Sequence, residues 1–150
     1  VEFTGIYYFS EKQSGLFIGN TFAWSEGNNL TDDIPLETIE PVKNRLSLGY
    51  QGSDDRWLVS ASMVYTGRPR LRNDYQESQP YYIPSTSVVF DLNAFWNISD
   101  SVRLLASVNN LTNETYYNFQ DVRGRDGGSG DILRYSQPER NFKVGVKFTF

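Results

Sequence analysis

Cysteine and histidine are both absent from this chain, and methionine occurs once. Without cysteine there is no disulfide and no thiolate metal site, and the redox compartment stays open. Without histidine there is no Ser-His-Asp triad and no HExxH zinc site, and no imidazole ligand to a haem iron can come from these residues. Long apolar runs are missing too: pieces such as Leu16-Phe17-Ile18 and Val88-Val89-Phe90 fall far short of the roughly 18 residues of a helical membrane span. Basic residues are the minority, 14 Lys and Arg against 18 Asp and Glu, for a net charge of −4. No basic stripe offers a surface to nucleic acid, which is therefore not an expected partner. Val1 is not followed by a charged region and an apolar stretch, so no export signal is visible, as expected of a processed or partial chain.

What is present is alternation. Counting back from the last residue, Phe150, Phe148, Val146, Val144 and Phe142 project to one side, and Thr149, Lys147, Gly145, Lys143 and Asn141 to the other. A period of two is that of a β-strand. Lysines on the second face would be costly to bury in a packed soluble core, whereas a strand with lipid outside and water inside accommodates both faces. Such alternation keeps average hydropathy low, and the mean hydropathy here is −0.50. Aromatics make up 15% of the residues, as suits rings seated at membrane interfaces.

The same pattern repeats upstream. Val102, Leu104, Ala106 and Val108 share one face; so do Val88, Phe90, Leu92, Ala94, Trp96 and Ile98, and so do Trp57, Val59, Ala61, Met63 and Tyr65. Leu46, Leu48 and Tyr50 form a further set. Leu16, Ile18, Phe22 and Trp24 are interrupted by Asn20, and Val1, Phe3, Tyr7 and Phe9 by Gly5. About seven strands result, most near the 9–11 residues that a tilted transmembrane strand needs. Short turns at Ser10–Gly15, Gly52–Arg56 and Ser99–Ser101 alternate with long segments at Ser25–Val42, Pro69–Ser85 and Asn113–Glu139. Outer-membrane barrels have short periplasmic turns and long extracellular loops, which puts Phe150 at the periplasmic rim. Bacterial barrels have even strand numbers and no free edges, so the expectation is the C-terminal part of a larger barrel.

Several motifs then resemble one family, the TonB-dependent outer-membrane receptors. Ser107-Val-Asn-Asn-Leu-Thr-Asn113 with Glu-Thr-Tyr-Tyr is similar to their "NLxDxxY" element. Gly27-Asn-Asn-Leu-Thr and Ile34-Pro-Leu-Glu-Thr-Ile-Glu-Pro41 resemble the loop "G…PLxxIxP", and Val88-Val-Phe-Asp-Leu92 the "FDL" strand. Tyr135-Ser-Gln-Pro-Glu-Arg-Asn141 is similar to the "QPGRN" approach to the final strand, with Glu139 where glycine is usual. Lys143, Gly145, Phe148 and Phe150 fit the terminal signal read by the barrel assembly machinery. Val122-Arg123-Gly124 is similar to the haem, haemoglobin and transferrin branch.

The resemblance implies an all-β transmembrane antiparallel barrel of 22 strands, of which residues 1–150 supply about seven. It implies a plug domain and further strands outside this chain, a TonB complex acting through the plug, and the bacterial outer membrane as location. The implied cargo is an iron chelate, haem or a ferric siderophore, and no resident cofactor or enzymatic activity is expected in these residues.

Within the segment Asn113–Glu139, Tyr116, Tyr117, Phe119 and Tyr135 beside Arg123, Arg125 and Arg134 could stack on a flat macrocycle and pair with its carboxylates. The alternative for Tyr116 and Tyr117 is the aromatic girdle at the membrane surface. Asp121, Asp126 and Asp131 around a glycine-rich stretch fit no EF-hand or nonapeptide spacing, which leaves a solvated acidic loop. Asp32-Asp33 and Asp54-Asp55 sit in turns, where solvated charge is the default. Other classes remain: a non-gated porin, a barrel enzyme, for which Ser60 and Ser62 lack a histidine base, and a secreted β-sandwich, in which Trp57, Trp96 and Phe150 would need a second covering sheet.

Overall fold

The computed structural model describes residues 1–11, 14–71, 80–128 and 130–150. Parts of the turn at Ser10–Gly15, of the long segment at Pro69–Ser85 and of the glycine-rich stretch at residue 129 lie outside the described residues.

The strands in chain order are β1 (Glu2–Tyr8), β2 (Gly15–Ala23), β3 (Asn28–Asn29), β4 (Ile34–Pro35), β5 (Lys43–Gln51), β6 (Trp57–Thr66), β7 (Ser87–Ser99), β8 (Val102–Asn109) and β9 (Asn141–Phe148). Seven of them form one sheet in the order β1-β2-β5-β6-β7-β8-β9, so every neighbour in space is also the next long strand in sequence. All pairs are antiparallel, which gives a meander. The short β3 and β4 pair only with each other inside the segment between β2 and β5, where the alternation gave no strand.

Register confirms the faces read from the alternation. Leu46 pairs with Met63, Met63 with Phe90 and Trp57 with Trp96, Leu104 with Val146 and Val102 with Phe148. On the other face, Ser62 pairs with Asp91 and Arg103 with Lys147. A slip of one residue on any strand would carry its apolar set to the polar side, so the pattern itself fixes the pairing. The two interruptions, Gly5 and Asn20, are direct cross-strand partners. The Asn20 amide donates across to Asn44 Oδ1 at 3.3 Å, so the one polar break in the apolar face is gathered into a single patch.

The apolar face is uncovered. Val144 is 84% exposed, and Phe142, Phe148, Trp96, Leu48 and Val59 are all exposed. Among the described residues no second sheet lies over them, and the expectation of a sandwich for this face is not met. An apolar surface spread over seven strands far exceeds what water tolerates on a monomer, and lipid is the medium that suits it. Tyr50 stacks on Trp57 with ring centroids 5.4 Å apart, beside the short turns, where an interfacial belt belongs.

The polar face is not uniformly polar. Leu58 pairs with Phe95 and Phe95 with Leu105, and the Arg103 guanidinium lies 4.5 Å from the Phe95 ring centroid. Phe17, 7% exposed, packs over Gly49 on this same side. The turn between β5 and β6 closes through Asp55 in the left-handed region, φ 56°, with its N–H donating to Gly52. That between β7 and β8 is tighter, only Asp100 and Ser101 lying between the strands, with an irregular register between Asn97 and Ser99. Both lie on the side opposite the long segments.

Candidate functional site on the long-loop side

The long segment after β8 begins with a backbone reversal that two asparagines permit. Asn110 and Asn113 have φ of 54° and 57°, a region that asparagine enters more readily than most residues. Asn110 is 2% exposed. Its Nδ2 donates to the carbonyls of Glu114 at 2.8 Å and Pro138 at 3.2 Å, and its Oδ1 accepts from the Glu114 N–H at 2.8 Å. Asn113 Oδ1 accepts from the Arg140 N–H at 2.9 Å, and Asn109 donates to Asn141 Oδ1 at 3.1 Å. The outgoing and returning arms are thus tied together, and the Gln137 N–H extends the tie to the Tyr116 carbonyl at 2.8 Å.

Beyond this neck the segment buries two apolar side chains. A four-residue helix, α1 (Phe119–Val122), holds Phe119 at 2% and Val122 at 0% exposure. A 3-10 helix at Gly130–Tyr135 follows. The segment also locks onto the two other long segments. Gln120 Nε2 donates to the Thr38 carbonyl at 3.1 Å and Arg123 Nη1 to the Glu37 carbonyl at 3.4 Å. On the other side, the Tyr82 N–H donates to the Arg125 carbonyl and the Gly127 N–H to the Pro80 carbonyl, both at 2.8 Å. The Tyr82 and Tyr117 rings meet edge-on at 5.0 Å. Three loops therefore form one connected layer.

The seven candidate contact residues separate within this layer. Phe119 is buried and presents almost no surface. Tyr117 is half-buried against Tyr82, whose phenol pKa is raised by burial and then by Tyr117. Tyr116 is half-buried above the polar face of the sheet. Burial first, and the Asp91 carboxylate second, hold its phenol above the ordinary 10.0, with Arg45 opposing. Arg123 is exposed and spent on loop 25–42. Arg125 lies over the Tyr135 ring at 4.7 Å. Arg134 is exposed and makes only a surface ion pair with Asp131 at 3.4 Å, an interaction of small net worth. Arg125, Arg134 and Tyr135 line one shallow polar depression of about 480 Å³ with Gln120, Asp121 and Gln137. So three of the seven converge on an open surface, and Tyr116 points the other way, toward the sheet.

Three residues outside that set belong to the site's architecture. Asp91 on β7 accepts the Asn110 N–H through Oδ1 at 3.0 Å and faces Arg45 Nη1 through Oδ2 at 3.4 Å. Arg45 on β5 also donates to Ser62 Oγ at 2.7 Å. The sequence signals for Asp91 and Asn110 were an acid inside an apolar strand and a doubled asparagine at a strand end. The acids of the glycine-rich stretch do not converge: Asp121 accepts from Asn118 and Gln137, Asp126 from the Gly128 N–H, and Asp131 faces Arg134. Among the described residues no group of three metal-ligating side chains is gathered anywhere.

The terminal-signal residues lie on β9 and just beyond it. Lys143 and Gly145 are on the polar face, opposite Ser107 and Leu105, and Phe148 is on the apolar face opposite Val102. Phe150 follows the strand, fully exposed.

A meander of tilted-span length, apolar on one face, polar on the other and roofed by loops on one side only, defines a wall section of a membrane β-barrel. Residues 1–111 match the family model described as TonB dependent receptor-like, beta-barrel, and the chain belongs to that family of outer-membrane receptors. Its curated relatives include the haemoglobin-haptoglobin utilization protein B of Neisseria meningitidis serogroup A / serotype 4A, 27% identical over 99% of this chain and 21% of the relative. Transferrin-binding protein A of Neisseria meningitidis serogroup B is 25% identical over 76% of this chain and 14% of that protein. Among solved structures, the copper transporter OprC superposes with a TM-score of 0.78 at 21% identity, covering 97% of this chain and 22% of that one. The ferric enterobactin receptor PfeA of Pseudomonas aeruginosa superposes at 0.70 and 20% identity over 99% of this chain and 22% of the receptor. The chain thus spans about a fifth of the length of these proteins.

Proposed function

We propose that this chain is seven strands of the wall of an active-transport receptor that takes up an iron chelate, haem or a ferric siderophore, powered through TonB. Membership of the receptor-like barrel family carries the reading, and the names of the relatives, which refer to haemoglobin-haptoglobin, transferrin and ferric enterobactin, give the cargo class. In this reading the plug and TonB box lie outside these residues, the long loops face the exterior and the short turns the periplasm. The barrel assembly machinery reads the terminal pattern Lys143, Gly145, Phe148 and Phe150. Capture falls to the loop layer, where Arg125 and Arg134 offer charge-assisted bonds to ligand carboxylates and Tyr135 a flat ring.

Because Arg125 and Gly127 bond through their backbones to loop 67–86, side-chain substitution tests this better than deletion. In the full-length receptor, the double variant Arg125→Ala and Arg134→Ala should bind haem at the cell surface about tenfold or more weakly, the loss expected for two charge-assisted contacts, with unchanged receptor abundance. Growth on haem and on ferric enterobactin as sole iron source separates the two cargoes. Wild-type growth on neither, with normal surface levels, would remove the iron-chelate reading.

A further inference from the structure

We propose that Asn110 is the positioning residue of the capture surface, tying both arms of the loop 113–139 to each other and to the sheet, and so setting how tightly an anionic iron chelate is held. This rests on the functional reading just given. A left-handed φ of 54° at 2% exposure is an unusual place for an asparagine unless its amide is fully used. Here both Nδ2 hydrogens have a carbonyl acceptor, one on each arm of the loop, at Glu114 and Pro138. Oδ1 takes the Glu114 N–H. No single backbone amide could make these three bonds, because it carries one N–H and one carbonyl pointing apart, whereas the side-chain amide presents two N–H donors and an oxygen at one point.

The same residue is anchored from below. Its N–H donates to Asp91, Asp91 faces Arg45, and Arg45 donates to Ser62. One chain of hydrogen bonds thus runs from the neck of the loop across β8, β7, β6 and β5. The Leu111 N–H, next in sequence, donates to the Phe90 carbonyl at 2.7 Å, so the backbone is fixed on the strand beside it as well. Loss of the Asn110 amide takes one part-buried hydrogen-bond partner from each of the Glu114 and Pro138 carbonyls and from the Glu114 N–H. The neck then loosens, and Tyr135, Arg134 and Arg125, all carried by the loop, lose their common placement.

The test uses the full-length receptor. Asn110→Gly keeps the left-handed backbone and removes the amide; Asn110→Asp keeps an acceptor for the Glu114 N–H and removes the donors. Hydrogen exchange at Glu114, Gln137 and Arg140 should quicken at least about tenfold in Asn110→Gly, as local opening becomes easier, and at least as much in Asn110→Asp, where a carboxylate oxygen without donors faces the Glu114 and Pro138 carbonyls. Affinity of de-energised cells for haem and ferric enterobactin should fall in both variants, while saturated uptake per surface receptor is unchanged. Equal weakening of affinity and of saturated uptake would mark a general folding defect and overturn the proposal. So would unchanged exchange, or faster exchange with unchanged affinity for both probes. If Asn110→Gly fails to reach the surface, Asn110→Asp decides on the same readouts. A wild-type receptor that binds neither probe sinks the functional reading and the affinity clause with it, whereas exchange at the neck is read independently.

Discussion

A β-carbon added at Gly49 would stand 2.3 Å from the Phe17 ring, and one added at Gly145 would stand 3.7 Å from Leu105 Cδ1. The first is a collision and the second an ordinary contact, so the two glycines have different reasons to be there. Gly49→Ala should displace Phe17 and lower unfolding stability by about 1–3 kcal/mol, the usual cost of forcing extra volume into packed surroundings. Gly145→Ala should leave stability unchanged, and any fall in its surface level would then be an effect on assembly. Urea unfolding of the receptor in detergent, followed by tryptophan emission, checks both. Tyr116 yields a residue-scale prediction in pH. Its phenol is held neutral above the ordinary 10.0 by burial and by Asp91, so the folded loop binds a proton that the open loop has released. The contribution to loop stability is present below pH 10.0 and is lost as pH rises through the folded value. The difference between wild type and Tyr116→Phe in phenolate absorbance should therefore show a late-titrating tyrosine; a difference that titrates at the ordinary value would mean the phenol is open to solvent.

At the scale of the elements, strands and loops obey different rules, and a sequence reveals them unequally. Each long strand alternates by its own local pattern, so β5 to β9 and their faces are legible in the order of residues alone, and register follows because any slip exposes the wrong face. Asn110 is different: its meaning depends on Asp91, 19 positions away, and on Pro138, 28 positions away, and no local period encodes either partner. Phe119 illustrates the same limit, since an aromatic in a polar loop reads as a ligand contact until its side chain is seen to be buried. Arg125, Arg134 and Tyr135 were legible as a set because they lie within eleven residues of one loop. The faces themselves can be tested on one strand. Leu92 pairs with Ala61 on the apolar face and Asn93 with Ser60 on the polar face. Leu92→Arg should cost about 2–4 kcal/mol near the bilayer midplane and Asn93→Arg much less. Equal tolerance, measured as surface level and unfolding midpoint, would refute the assignment of lipid and water sides.

For the chain as a whole, the sheet has one set of loops bonded into a layer and one apolar face over which no protein lies among the described residues, so the bilayer serves as its second layer. Phe150 shows what this means for assembly. It is 116% exposed and lies beyond β9. Among the described residues no packing accounts for an aromatic there, in contrast to Phe17, which fills a place on the polar face. Two roles remain for such a ring: an anchor at the membrane–water interface, where aromatic side chains are favoured, and a feature recognised before the barrel is in the membrane. They differ in what replacing the ring does. Phe150→Ser in the full-length receptor should lower its outer-membrane level while the receptor that does insert keeps the unfolding midpoint of the wild type, if recognition is the main role. A ring acting mainly as an anchor would instead lower the midpoint by about the 0.5–1.5 kcal/mol typical of an aromatic contact and leave the level closer to normal. Phe148, paired with Val102 inside the sheet, should lower both when replaced by serine. A Phe150→Ser receptor with wild-type level and wild-type midpoint would leave this aromatic with neither role.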